Sequence, residues 1–380
     1  MLRSVISRRS LIKGLATAAL APGLPRVAAS AQSQEKPWWL GDGMPQEGAD
    51  TPKIACAIDL AGGVTEAAIR SVMQLGVYHV LSGGPALPWT AGELQPLVDK
   101  LKANGVTLGN LMIGGFPNTI YGRPGRDEEI EKVRQSIQTA AQAGIAVVEY
   151  NFYAHRAMEG YYEEVGRGGA GLTGVDYDRM KDLPPLAGEG AHTLSEMWAN
   201  ITYFLKAVIP VAEKANVRLA LHPNDPPFPS SRGSQQIMAT LEGWKHLIEI
   251  VDSPANGITF DCGVTQELGE DPVAVCRYFG SRDRINHMHY RNPHVTKPYL
   301  KYDEGFIDEG DVNMFAVMRE LVMLKYSREL YPEHARALDY DTARGPIPGY
   351  PGGGGYAGDV YDIAYAKAML QAALAVEKSG

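Results

Sequence analysis

The sequence predicts an α/β protein of the (β/α)8 TIM-barrel class, with long glycine-rich loops on the C-terminal face of the barrel. From residue 51 onward, short apolar runs rich in β-forming residues alternate with longer segments of helical period. Strands that alternate with helices imply a parallel sheet. Eight such units between residues 51 and 380 have the number and size of a TIM barrel.

The predicted elements follow one another as eight strand and helix pairs. The strands are the apolar runs at residues 54–58, 78–81, 108–113, 146–152, 218–222, 257–261, 285–290 and 329–331. The helices, with apolar positions at helical spacing, are residues 65–75, 91–104, 127–143, 193–216, 234–251, 272–279, 312–325 and 359–377. Capping signals support several helix bounds, such as Thr90 with Glu93 at one start and Asn104-Gly105 at the following end.

A doubly wound open sheet is the competing arrangement. That fold binds dinucleotides through a glycine-rich fingerprint after its first strand, whereas Gly62-Gly63 at this position is only a loop signal. Two long glycine-rich loops, residues 166–190 and 345–358, fall on the C-terminal face of the predicted barrel. Long loops in this place are candidates for lids over an active site.

Composition excludes several classes of function. The chain has 380 residues, of which 45% are hydrophobic, and a formal net charge of −8. An acidic chain without a long basic run argues against a nucleic-acid partner. The three cysteines are too widely spaced for a disulfide framework or a zinc finger. We expect a single catalytic domain at residues 51–380, a small-molecule substrate and a homo-oligomer.

The N-terminal segment has the features of an export signal. Arg8-Arg9 precedes a modest apolar run at residues 14–24, and Ala29-Ser30-Ala31 is a small-residue cleavage site. This pattern resembles a twin-arginine signal over residues 1–31, which the export machinery reads as an address. The apolar run is shorter than the ~20 residues of a membrane-spanning helix. We therefore expect a periplasmic or exported protein without a membrane span, with residues 32–50 as a linker or arm.

Four consecutive predicted strands end in a residue that can bind a metal. These residues are His222, Asp261, His289 and Glu333. Parallel strands closed into a barrel bring their C-terminal ends to one face, where imidazole and carboxylate groups suit a divalent ion such as Mn²⁺ or Fe²⁺. Cys262 is an alternative to Asp261, and His287 lies on the same strand face as His289. The competing interpretation is four polar strand caps around an anion site without a metal.

Further polar residues near the same strand ends are candidates for substrate binding. They are Asn151, Arg156, Asp225 and Arg291. Guanidinium groups bind carboxylates through paired hydrogen bonds, so either arginine could hold an acidic substrate, although Arg156 could also be a solvated loop residue. Tyr350, in the second glycine-rich loop, either closes over the site as an acid or base or packs against a neighbour.

Several segments resemble the mannonate dehydratase family, in the order in which that family has them over residues 53–375. They include Glu149-Tyr150-Asn151-Phe152, Leu221-His222-Pro223-Asn224-Asp225-Pro226-Pro227, His289-Tyr290-Arg291-Asn292, Phe306-Ile307-Asp308-Glu309-Gly310-Asp311, Tyr331-Pro332-Glu333-His334 and Pro348-Gly349-Tyr350-Pro351. The resemblance implies a TIM barrel that removes water from D-mannonate to give 2-dehydro-3-deoxy-D-gluconate, using Mn²⁺ or Fe²⁺. It also implies His222 and His289 as metal ligands, and His334 and Tyr350 as the acid and base, in either order.

Two ligand positions depart from the family pattern. Asp261 stands where the family usually has cysteine, and Glu333 stands where it has aspartate. Carboxylate in place of thiolate makes a harder site, which favours Mn²⁺ or Mg²⁺. Two alternatives stay open at this point, a metal-dependent sugar isomerase or epimerase on the same barrel and a non-catalytic exported protein that binds sugar acids.

The export signal predicts a specific loss of export on mutation. Replacing Arg8 and Arg9 together with lysine should leave the unprocessed chain in the cytoplasm, because the signal receptor reads the arginine pair. Cell fractionation and N-terminal sequencing measure this, and the exported chain should begin at Gln32. The matched control is Arg3→Lys, which should be exported as the wild type is. Equal export of all three proteins would contradict the signal.

Overall fold

The computed structural model describes residues 43–345, 347 and 350–379. The predicted signal at residues 1–31 lies outside this range, as does the linker up to residue 42. The described part of the linker, residues 43–50, consists of turns and largely exposed residues. Among the described residues, no helix is both long and apolar enough to cross a membrane.

The described residues form fourteen strands and eleven helices. The strands are β1 Lys53–Ala57, β2 His79–Gly83, β3 Thr107–Ile113, β4 Val147–Tyr150, β5 Tyr161–Val165, β6 Gly171–Asp176, β7 Arg218–Leu221, β8 Ser230–Ser231, β9 Ser234–Gln235, β10 Asn256–Asp261, β11 Ile285–His289, β12 Pro293–Lys297, β13 Lys301–Glu304 and β14 Glu329–Tyr331. The helices are α1 Glu66–Gln74, α2 Ala91–Ala103, α3 Pro117–Tyr121, α4 Arg126–Gln142, α5 Leu194–Ala215, α6 Leu241–Ile250, α7 Cys262–Glu267, α8 Pro272–Gly280, α9 Met314–Met323, α10 Asp339–Thr342 and α11 Tyr356–Ser379.

Eight of the strands close into a parallel barrel, which confirms the predicted fold. Their order around the barrel is β1-β14-β11-β10-β7-β4-β3-β2, so each barrel strand lies beside those that precede and follow it in the chain, and β1 closes the ring against β14. Every predicted strand is present with small shifts at its ends. The predicted helix at residues 234–251 is shorter, because Thr240 caps a helix that begins at Leu241, while Ser234–Gln235 pairs with Ser230–Ser231.

Buried apolar side chains join the barrel to its outer helices. Phe204 of α5 stacks on Phe116 at a ring separation of 5.5 Å. It also contacts Tyr150, the last residue of β4, and Phe152 just beyond that strand. Burial of each such aromatic side chain contributes about 1.5–3 kcal/mol relative to its exposure. The helix begins at a capping box, in which the Thr193 side chain accepts a hydrogen bond from the backbone of the third helical residue.

A second sheet covers the C-terminal face of the barrel. Strands β5, β6, β12 and β13 form a four-stranded antiparallel sheet in the order β12-β13-β6-β5, which we call the cap sheet. Its hairpins leave the barrel after β4 and after β11. Residues 166–190, expected to be a long loop, therefore begin with a tight glycine turn and continue as β6, since pairing with β13 satisfies the backbone hydrogen bonds.

The glycine turn of the cap sheet is fastened to the barrel by Arg167. Its guanidinium lies 2.8 Å from Asp308 and 3.1 Å from Glu309, and it donates a hydrogen bond to the Tyr361 hydroxyl of α11. It also stacks over the ring of Phe306 at 4.0 Å.

In the second glycine-rich loop Tyr350 is buried, in a small apolar cluster between the cap sheet and the barrel. The cap sheet and this loop thus cover the mouth of the barrel.

Candidate active site

The four predicted metal-binding residues lie together at the barrel mouth. They are His222 directly after β7, Asp261 at the end of β10, His289 at the end of β11 and Glu333 two residues after β14. One side-chain nitrogen or oxygen atom from each lies within 4.8 Å of the others. The four strands are neighbours in the barrel, so their parallel ends bring the side chains to one point. We call this group the four-donor cluster.

The donor atoms of the four-donor cluster face one another across the barrel mouth. His289 Nδ1 lies 2.8 Å from Glu333 Oε1 and 3.0 Å from His222 Nε2. Glu333 Oε1 nevertheless has no aligned hydrogen bond among the described residues, although it is buried. His222 Nδ1 lies 2.7 Å from the Pro223 carbonyl, which leaves Nε2 as the nitrogen with a free electron pair. Buried lone pairs that converge in this way fit a divalent cation.

Asp261 has two roles that the sequence presented as alternatives. Its Oδ1 accepts the Val264 N–H at 2.8 Å and caps α7, and its Oδ2 lies 3.8 Å from His222 Nε2. Cys262, the alternative ligand, points elsewhere, because its Sγ donates to the Arg291 carbonyl at 3.3 Å. Burial raises the pKa of the Cys262 thiol, so the metal-binding thiolate is disfavoured. The geometry favours Asp261 over Cys262 as a donor.

The protonation states within the cluster follow from burial and from the carboxylates. Burial lowers the pKa of His222 to about 4, so this ring is neutral. Burial also opposes protonation of His289, but the carboxylates of Glu333 and Glu149 outweigh it and raise the pKa of His289 to about 9. A divalent ion must therefore displace a proton from His289 below about pH 9.

Glu149 lies behind His289, a placement that sequence reasoning missed. Its Oε1 is 3.4 Å from His289 Nε2 and accepts a hydrogen bond from Thr259, while Oε2 accepts one from Asn110. A carboxylate behind a histidine favours the tautomer whose other nitrogen faces a metal. Its presence in the quoted Glu149-Tyr150-Asn151 segment was the available signal. His287 points deeper into the barrel toward Glu149 and is not in the four-donor cluster.

Arg291 is the common counterion of the buried carboxylates. Its Nε lies 3.0 Å from Asp261 Oδ2, its Nη1 2.6 Å from Glu267 Oε1 and its Nη2 3.6 Å from Asp225 Oδ1. Glu333 and Glu304 also lie within 4.0 Å of the guanidinium. We expected Arg291 to hold the substrate, but protein carboxylates occupy most of its donors. Only its Nη2 lacks a hydrogen bond within the described part of the chain.

His334 and Tyr350, the predicted acid and base, lie side by side. Their ring centroids are 4.8 Å apart. His334 has a left-handed backbone with φ of 56°, which lets its side chain and that of the adjacent Glu333 face the same site. His334 Nε2 is 3.7 Å from Glu333 Oε2. Strained backbone of this kind is found at functional sites, where the surroundings hold it in place.

The remaining predicted substrate-binding residues are Arg156, Asp225 and Asn151. Arg156 lies at the mouth with its side chain 20% exposed, donates to the Asp225 carbonyl at 3.2 Å and lies 3.4 Å from Asp225 Oδ2. Burial would raise the pKa of Asp225, but Arg291, His334 and Arg156 outweigh it and lower that pKa to about 2. Asn151 follows β4 and directs its side-chain amide to the Met112 sulfur at 3.7 Å.

The fold and the site define a class of protein. A closed (β/α)8 barrel carries two histidines and two carboxylates at four neighbouring strand ends, beside a buried histidine and tyrosine pair. This is a TIM-barrel enzyme with a candidate divalent-metal centre.

Comparisons with known proteins give the family. The family described as D-mannonate dehydratase (UxuA) matches residues 163–379. A mannonate dehydratase from Thermotoga petrophila is 31% identical over 299 residues, covering 69% of this chain and 81% of the relative. The crystal structure of mannonate dehydratase from Streptococcus suis serotype 2 matches with a TM-score of 0.77 and 25% identity, over 86% of this chain and 96% of that one. This chain belongs to the D-mannonate dehydratase family, as the sequence motifs predicted.

Membership makes the chain a hydro-lyase of a metal-dependent family. The likeness to sugar epimerases is weaker. An L-ribulose 3-epimerase matches with a TM-score of 0.55 and 13% identity, which reflects the shared barrel alone.

The four-donor cluster predicts a specific loss of metal binding. Glu333→Gln should weaken Mn²⁺ binding about 100-fold or more, because it removes a charged ligand, and loss of a residue that merely orients a ligand already costs about 10–100-fold. Metal content after desalting and titration calorimetry measure this loss. Glu329→Gln is the matched control, because Glu329 is also buried and is the first residue of β14, the strand that Glu333 follows. Equal Mn²⁺ affinity in Glu333→Gln and the wild type would rule out this ligand set.

Proposed function

We propose that this protein removes water from D-mannonate to give 2-dehydro-3-deoxy-D-gluconate, with Mn²⁺ or Fe²⁺ held by His222, Asp261, His289 and Glu333. The observation that carries this proposal is the His334 and Tyr350 pair beside the four-donor cluster, in a chain of this family. Two nitrogen and two carboxylate donors are a harder set than one containing cysteine, so Mn²⁺ is favoured and Mg²⁺ is also accepted.

The reaction requires a proton to leave the carbon next to the substrate carboxylate and a hydroxide to leave the following carbon. A divalent ion held by the four-donor cluster would stabilise the negative charge that develops as the first proton leaves. His334 and Tyr350 carry out the two proton transfers, one as the base that takes the carbon-bound proton and the other as the acid that protonates the departing hydroxyl. The two ring centroids are 4.8 Å apart, so both groups are close enough to serve one small substrate.

Arginine at the barrel mouth orients the substrate. Arg156 is the more accessible of the two predicted arginines, with a side chain 20% exposed compared with 3% for Arg291. Its contact with Asp225 Oδ2 is long at 3.4 Å, which leaves donor capacity for a substrate carboxylate. Arg291 acts on the substrate indirectly, because it holds Asp261 through Nε at 3.0 Å. The cap sheet above these residues excludes water from the reacting atoms.

The two alternatives are less well supported. A sugar isomerase or epimerase on this barrel would use similar ligands, but the epimerase structures share only the fold. A non-catalytic binding protein has no need of a strained His334 beside a buried Tyr350. The weak similarity to the epimerases and the His334 and Tyr350 pair therefore support the dehydratase.

We further propose that the enzyme acts in the periplasm after twin-arginine export, and that it is a homo-oligomer. The arginine pair and the cleavage site in residues 1–31 support export. That route carries folded proteins, which suits an enzyme that receives its metal before export.

Turnover on a panel of aldonic acids tests the dehydratase. Metal-stripped protein refilled with Mn²⁺ should convert D-mannonate to a 2-keto-3-deoxy acid, detected colorimetrically and by mass spectrometry as the loss of one water. His334→Asn should lower kcat about 10²-fold to 10⁴-fold with the Mn²⁺ content unchanged, because it removes a proton-transfer group. The control His294→Asn, on the exposed face of cap strand β12, should keep wild-type activity.

Two results would contradict the proposal. A protein that holds Mn²⁺ but converts no aldonic acid is not a dehydratase of this class. A product of the same mass as the substrate would instead establish an isomerase or epimerase.

A further inference from the structure

Glu304 reaches the active site from the cap sheet. It is the last residue of β13 and is 2% exposed. Its Oε1 lies 3.0 Å from His334 Nδ1, and its Oε2 accepts a hydrogen bond from Arg336 Nη2 at 3.0 Å. We propose that Glu304 is a positioning residue that fixes the tautomer and orientation of the His334 ring, so that Nε2 exchanges the proton with the substrate. This inference rests on the proposed function, in which His334 transfers a proton.

The two edges of the His334 ring face different surroundings. The Nδ1 edge faces the cap sheet through Glu304, whereas Nε2 lies 3.7 Å from Glu333 and 3.8 Å from Asp225, on the side of the four-donor cluster. A carboxylate paired with an arginine only accepts hydrogen bonds, so the Nδ1 edge has to carry the proton. The Nδ1 contact has hydrogen-bond length but incomplete alignment. Such contacts commonly tighten once the substrate is bound.

Arg336 binds one oxygen atom of Glu304, which leaves the other oxygen atom to face His334. The Arg336 side chain is fully buried and donates to Glu304 Oε2, to Thr173 Oγ1 at 2.8 Å and to the Tyr350 hydroxyl at 3.2 Å. It also donates to the His334 carbonyl, which supports the left-handed backbone there. One guanidinium thus holds the partner of His334 and the hydroxyl of Tyr350 in a single arrangement. Since β6 supplies Thr173 and β13 supplies Glu304, the cap sheet is part of the active site.

A second metal ion is a poorer explanation for this group. Asp225, Glu304 and His334 do bring donor atoms within 4.8 Å of one another. Both carboxylates, however, are already paired with arginines, Asp225 with Arg156 at 3.4 Å and Glu304 with Arg336 at 3.0 Å. These pairs offset part of the negative charge, so the two carboxylates attract a cation less strongly than unpaired ones would. The hydrogen-bonding role therefore accounts for Glu304 better.

Glu304→Gln tests the inference because Arg336 dictates how the new amide must lie. Arg336 only donates, so the carbonyl oxygen of the introduced side chain faces it and the amide NH₂ faces His334 Nδ1. An amide donor at Nδ1 forces the ring proton onto Nε2, which reverses the tautomer. We expect kcat to fall about 10²-fold to 10⁴-fold, with KM, Mn²⁺ content and thermal midpoint close to wild type. Glu304→Asp, which restores the acceptor, should recover part of the loss.

The tautomer itself is measured by nitrogen NMR on the full chain with ¹⁵N-labelled histidine and Mg²⁺ as the diamagnetic ion. Subtraction of the His334→Asn spectrum assigns the ring. The wild type and the control Glu329→Gln should carry the proton on Nδ1, and Glu304→Gln should carry it on Nε2. A merely structural role for Glu304 would lower the thermal midpoint without reversing the tautomer.

Three outcomes would overturn the inference, namely a wild type protonated on Nε2 alone, an unchanged tautomer in Glu304→Gln, or wild-type kcat in that variant. If Glu304→Gln fails to fold, the wild-type spectrum still decides the first of these. Failure of the proposed function is distinguishable, since a wild type that has the Nδ1 tautomer but no turnover refutes only the dehydratase.

Discussion

Five buried or nearly buried carboxylates surround the guanidinium of Arg291, and the rest of the site depends on that one cation. Asp261 and Glu267 are fully buried and bind it directly. An unpaired charge at such a position costs several kcal/mol, and loss of one partner of a buried pair typically destabilises a protein by about 3–5 kcal/mol. Gly263 makes room for the Arg291 side chain, because a Cβ there would lie 2.7 Å from its Cγ. A divalent ion in the four-donor cluster would add further positive charge.

The barrel and the four-donor cluster were predictable because both follow from local patterns. Each strand is a short apolar run, and the polar residue at its end marks the barrel mouth, so His222, Asp261, His289 and Glu333 converge once the sheet is parallel and closed. Glu149 was missed because a charged residue inside a buried strand has no periodic signal. Glu304 was missed because its partner, His334, is brought near by the cap sheet, and nothing local to either residue indicates the contact.

The first glycine-rich segment forms part of the cap sheet. Residues 166–190 are a candidate lid from the sequence, and in the structure their first part is a turn and a strand that pairs with β13. Glycine is needed at this turn, where Gly168 and Gly169 have positive φ angles of 65° and 86°. The first part of the segment is held at two points, by Arg167, which binds Asp308, and by Thr173, which accepts a hydrogen bond from Arg336. This part of the segment borders the site and, through Arg336, supports the proposed proton-transfer pair His334 and Tyr350.

In the proposed sugar-acid dehydratase, the ends of four barrel strands build one metal site from His222, Asp261, His289 and Glu333. The most direct test is a crystal structure of the Mn²⁺-loaded protein with an anomalous difference map recorded at the manganese edge. We expect one strong peak at bonding distance from all four side chains, beside His334 and Tyr350. A peak among Asp225, Glu304 and His334 instead, or no peak at the four-donor cluster in saturating Mn²⁺, would contradict it.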